Sequence, residues 1–164
     1  MTIPVTRMSE LSTGAQLLLW ATRHIVAAAI RGSGVPWCVE KSFQIAGARP
    51  ASEALQSLIV AMARSTPRQL TVGRPSSARL TADEVLLAHA LVGPPAETMS
   101  APRSEAPAED LFARARVADA LEEVREAMEG AGLPLTRLGM PGVGHLRAGR
   151  APVLFANPGM ADVH

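Results

Sequence analysis

With 164 residues, 48% of them hydrophobic, 19% charged and a net charge of +1, the chain has the composition of one globular domain rather than of a disordered segment. Its basic residues are 15 Arg and one Lys, a skew that resembles the codon bias of a GC-rich genome and carries no argument for phosphate binding by itself. One cysteine, Cys38, excludes an intramolecular disulfide and fits a reducing, cytoplasmic setting, and no Cys or His spacing suggests a zinc site.

Charge is unevenly spread. Residues 1–80 hold nine Lys/Arg and three Asp/Glu, hence +6; residues 81–164 hold seven Arg and twelve Asp/Glu, hence −5. Pairing of the two halves within one near-neutral domain accounts for this, and an anionic partner is the alternative. Met8 offers a second start that would remove the short leader MTIPVTR.

The first predicted element is a helix over about 13–31. Ser12 suits its N-cap and Gly32 its stop. At 100° per residue Gln16, Arg23, His24 and Arg31 fall in one polar sector together with Trp20, and a wide apolar arc covers the rest. Arg23 near the middle argues against a membrane span, and Glu10 ahead of a short apolar run argues against a signal peptide. A short second helix starts at Pro36 and stops at Gly47, with Val39 and Phe43 apolar. Cys38 sits just inside its start, where a helix dipole lowers a thiol pKa. Its neighbours Trp37 and Val39 point instead to burial, where a free cysteine is an inert small hydrophobe. The third helix is expected from near Ser52 to about Arg64, with Leu55, Leu58, Ile59 and Met62 at helical spacing.

Residues 65–79 read as a loop carrying Arg68, Arg74 and Arg79. With Arg64 these make four arginines in sixteen residues without an acid, a candidate anion contact through bidentate hydrogen bonds. LTADEV, 80–85, is the sharpest local signal: Thr81 and Glu84 form a capping box, and Leu80 and Val85 a hydrophobic staple. The helix that follows ends at Gly93 and is expected to be the most buried, with His89 a core or half-buried histidine. Capping and the helix dipole account for Asp83 and Glu84 without an acid–base role.

Residues 94–108 are Pro-, Ala- and Glu-rich and read as an internal linker. A long helix over about 108–130 follows, striped by Val117, Leu121, Val124 and Met128, with Glu122 and Arg125 at pairing distance. From 132 to 164 Gly and Pro recur too often for a helix. GMPGVG, 139–144, lacks the lysine and the flanks of a phosphate loop.

The expected fold is therefore all-α: a compact bundle of about five helices forming one domain over 8–131, with an irregular tail over 132–164. The expected function is a non-enzymatic protein-interaction module (adaptor, regulator or assembly factor) without a cofactor or a metal. Its partner is another protein or a second copy of itself, and Trp20, Val153, Leu154 and Phe155 are candidate docking residues. Anion or nucleic-acid binding through Arg64, Arg68, Arg74 and Arg79 is the alternative, and a small enzyme using Cys38 or a histidine the second alternative. No membrane insertion is expected.

Overall fold

The computed structural model describes residues 7–65, 69–92 and 108–135, with backbone alone over 108–113. Five α-helices form: α1 (Thr13–Ile30), α2 (Trp37–Ile45), α3 (Arg49–Ser65), α4 (Ala82–Val92) and α5 (Ala108–Gly130), after a 3-10 turn at Met8–Glu10. No strand forms among the described residues. Arg7 and Arg79 meet in an isolated antiparallel bridge, and the Met8 amide donates to the Ala78 carbonyl at 2.9 Å.

Local chemistry sets the helix ends. The Ser12 hydroxyl accepts the Ala15 amide, capping α1. At the other end Gly32, at φ +69, lets the Ser33 amide return to the Ala28 carbonyl. Gly47 does the same after α2 at φ +70, and the Ala48 amide returns to the Phe43 carbonyl at 2.8 Å. Helix α3 begins at Arg49, three residues before the expected start at Ser52. The reason is Pro50, which occupies the first turn, where a proline loses no hydrogen bond. Thr81 and Glu84 form both halves of the capping box, and Leu80 and Val85 are buried as the staple requires.

One core cluster draws on all five helices. It includes Leu18 and Leu19 of α1, Val39 and Phe43 of α2, Leu55 and Leu58 of α3, Leu91 of α4, and Val124 and Met128 of α5. Helix α5 packs chiefly along α3 and also touches α4. Arg125 fastens that second contact: its guanidinium donates to the Leu91 carbonyl at 2.8 Å and to the Ala90 carbonyl, while Glu122 pairs with it at 2.7 Å. A cation thus closes the carbonyl end of α4, where the helix dipole favours positive charge. At Gly14 a Cβ would stand 2.7 Å from the Leu133 carbonyl oxygen, so this glycine lets the chain leaving α5 cross close to α1.

Three expectations change. Helix α1, not α4, carries the longest run of buried residues, and His89 is exposed on α4 beside Leu86, which is 53% exposed. An almost wholly apolar helix of eleven residues must still face solvent along one side when its neighbours cover only the other. Trp37 is also exposed, because it stands at the first position of α2 on the side away from Val39 and Phe43; Cys38 is half-buried. Arg23 lies on no solvated sector: its side chain has no exposed surface. No helix among the described residues is long and apolar enough to cross a membrane.

Candidate functional site

The loop between α3 and α4 is tied down by charge. Arg23 of α1 meets Glu84 of α4 in a bidentate pair, Nε to Oε1 at 2.6 Å and Nη2 to Oε2 at 2.9 Å. The same guanidinium donates to the carbonyls of Ser77 (2.5 Å) and Arg79 (2.8 Å). Glu84 in turn accepts the amides of Gly73 at 3.0 Å and Thr81 at 2.8 Å. The two side chains therefore satisfy each other and four backbone groups of one loop, which is what a buried charge pair requires. A Cβ on Gly73 would come within 2.9 Å of the Arg23 guanidinium, so the loop lies flat on the cation. Outside this pair, Asp83 accepts the Thr71 amide at 2.7 Å and the Thr81 hydroxyl donates to the Thr71 carbonyl at 2.6 Å.

So held, residues 69–72 form the fourth wall of an apolar cleft of about 290 Å³. Val26 and Ile30 come from α1, Ile59 and Met62 from α3, Leu70 from the loop and Leu87 from α4, and Asp83 and Glu84 also line it. The cleft lies where apolar residues of α1 and α3 face the 69–72 segment of a loop whose following residues the ion pair fastens to α1 and α4. Ile30, 76% exposed, stands at its mouth.

Two titrations follow from this packing. Burial alone would raise the Glu84 pKa, but hydrogen bonds from Arg23 and from the Thr81 and Gly73 amides, together with the Arg23 charge, outweigh it and hold it below the ordinary 4.5. Burial, and then the charge of Arg31, lower His24 from 6.5; its ring lies 4.6 Å from that of Trp20. In both cases the unfolded chain binds the proton more readily, so stability falls as pH falls. The His24 contribution is lost first, below about pH 6.5 and through its lowered folded pKa; that of Glu84 is lost below about pH 4.5. Melting temperatures recorded across this range should show two steps. His24→Asn should remove the upper step and leave the lower one in place.

The candidate residues read from sequence are dispersed. Arg64 is exposed and lines a groove between α3 and α5 with Arg116, Asp119 and Glu123. Arg74 and Arg79 are exposed on the loop, with the Arg79 carbonyl occupied by Arg23. Trp20 is half-buried against the core and against His24. Arg68, Val153, Leu154 and Phe155 lie outside the described residues, as do the linker up to 107 and the GMPGVG stretch. The Arg23–Glu84 pair escaped the sequence reading, although each residue carried a signal. Arg23 is a charge within a long, largely apolar helix, and Glu84 is an acid on a helix with few other polar side chains. Compared with protein-family models, with curated proteins and with solved structures, the chain matches none.

Proposed function

We propose that this chain is a non-enzymatic protein-interaction module and that the apolar cleft is where its partner docks. The observation that carries the reading is the cleft itself, walled by three helices and by a loop that a fully bonded ion pair fixes in place. At about 290 Å³ it lies at the lower edge of small-molecule pockets, which run from about 300 to 1,000 Å³. That is room for a few apolar side chains rather than for a large cofactor. Its apolar walls, Val26 and Ile30 on α1 and Ile59 and Met62 on α3, suit the apolar face of an amphipathic helix of a second protein, anchored by residues three and four apart.

The test uses a photo-crosslinking residue at Ile30, which is exposed and free to change without cost to the fold. In extract of the source cells we expect one discrete adduct, mapped by mass spectrometry to a helical segment with an apolar face. Met62→Glu, which puts a charge in the cleft, should reduce that adduct about tenfold or more, with the melting temperature recorded alongside. Adducts that ignore Met62→Glu would refute the cleft as the docking site, and an adduct joining two copies of this chain would replace the second protein by a homodimer.

A further inference from the structure

A further concavity lies between α2 and α3 and is more polar than the apolar cleft. It encloses about 450 Å³ and is lined by Trp37, Glu40 and Lys41 of α2 and by Arg49, Ser52 and Glu53 of α3. Ser52 is 4% exposed, and its Oγ has no hydrogen-bond partner. A buried hydroxyl without a partner is destabilising, so its presence in the wall of an open groove calls for an occupant that bonds it. Trp37 is 72% exposed beside it. Such a large indole at the lip of a polar groove is a surface against which a ligand can stack.

The charges specify the ligand. Each wall bears one cation and one anion: Lys41 and Glu40 on α2, Arg49 and Glu53 on α3. Arg49 and Glu53 stand one turn apart, a spacing at which ions of opposite sign commonly meet, yet neither they nor Glu40 has an ion-pair partner among the described residues. A purely anionic ligand would face two carboxylates, and a purely cationic one two cations. A small zwitterion meets both signs at once. Its carboxylate is favoured at the first turn of α3, where Arg49, the Ser52 hydroxyl and the positive end of the helix coincide. Its ammonium is favoured by Glu40, Glu53 and the face of the Trp37 indole.

We propose that the groove between α2 and α3 binds a free α-amino acid with an apolar or aromatic side chain, which lies on Trp37. This inference is independent of the docking cleft, since no residue lines both.

Titration calorimetry of the full chain against the proteinogenic amino acids, phenylalanine and leucine first, tests it. We expect saturable binding at millimolar or lower concentration. Phenethylamine, which lacks the carboxylate, and 3-phenylpropanoate, which lacks the ammonium, should bind at least about tenfold more weakly than phenylalanine. Arg49→Gln and Glu53→Gln, both at exposed positions, should each weaken binding about tenfold. Ser52→Ala should weaken it likewise while raising the melting temperature of the unliganded chain, because it removes a hydroxyl that has nothing to bond. A merely structural serine would not move the two readouts in opposite directions. No saturable binding by any amino acid at millimolar concentration would overturn the proposal. So would equal affinity for the singly charged analogues, or affinity indifferent to both glutamine substitutions.

Discussion

Arg23→Ala should destabilise the chain by about 3–5 kcal/mol, measured by urea denaturation, because it leaves the Glu84 carboxylate buried without its cation. For a domain whose whole stability is about 5–15 kcal/mol, that loss leaves a substantial fraction unfolded. Glu84→Gln keeps a hydrogen-bonding group in place but strands the guanidinium charge, and should fall in the same range. The informative variant is the double replacement Arg23→Met with Glu84→Leu. Many buried ion pairs can be exchanged for apolar side chains at no net cost, because both charges lose their desolvation penalty together. Here that exchange also strands the carbonyls of Ser77 and Arg79 and the amides of Gly73 and Thr81. At about 1 kcal/mol or more for each group that cannot reach water, the double variant should stay at least about 2 kcal/mol below the parent. A double variant as stable as the parent would show that the pair holds two helices together but does not hold the loop.

The same result bears on the proposed docking site. The loop wall of the cleft, 69–72, is anchored through Asp83 at one end and through Gly73 and Glu84 next to it. Loss of the ion pair should therefore release one wall of the cleft before it unfolds α1 or α3. Hydrogen exchange of the Gly73 and Thr71 amides would report that release directly.

How much of this was legible in the sequence depends on the range of the interaction concerned. Helix ends were set within a few residues by local rules, because Ser12, Gly32, Gly47 and the Thr81–Glu84 box act on backbone groups three or four positions away. The stripe on α5 was legible for the same reason, since periodicity identifies the buried face of a helix that has one. The Arg23–Glu84 pair spans 61 residues, and no local pattern reports a partner at that distance. On α1 the helical angle places Arg23 with Gln16, Trp20, His24 and Arg31 in one polar sector. That angle does not report that a loop from elsewhere folds over Arg23 and supplies two carbonyls. The two concavities were illegible for the converse reason. Each is a space between elements: the walls of the cleft come from segments far apart in the chain, and those of the α2–α3 groove from neighbouring helices whose separation no residue pattern gives.

Phe43→Ala should cost about 3–5 kcal/mol, and this loss also distinguishes the scaffold of the amino-acid groove from its contacts. Helix α2 has nine residues, too few to persist alone in water, and depends on what it buries. Its only fully buried side chains are Val39 and Phe43, both at 0% exposure, and the Phe43 carbonyl also receives the Ala48 amide in the turn into α3. Truncating the ring opens a cavity at the base of α2 and frees the helix to tilt. Trp37, Glu40 and Lys41 would then lose their fixed positions opposite Arg49, Ser52 and Glu53. Stability and amino-acid affinity should therefore fall together in Phe43→Ala, whereas Ser52→Ala should raise one and lower the other. Phe43→Leu keeps most of the volume and should restore the greater part of both. If Phe43→Ala weakened the fold by several kcal/mol yet left ligand binding intact, the groove would not depend on the pose of α2, and the charges on that helix would have no part in recognition.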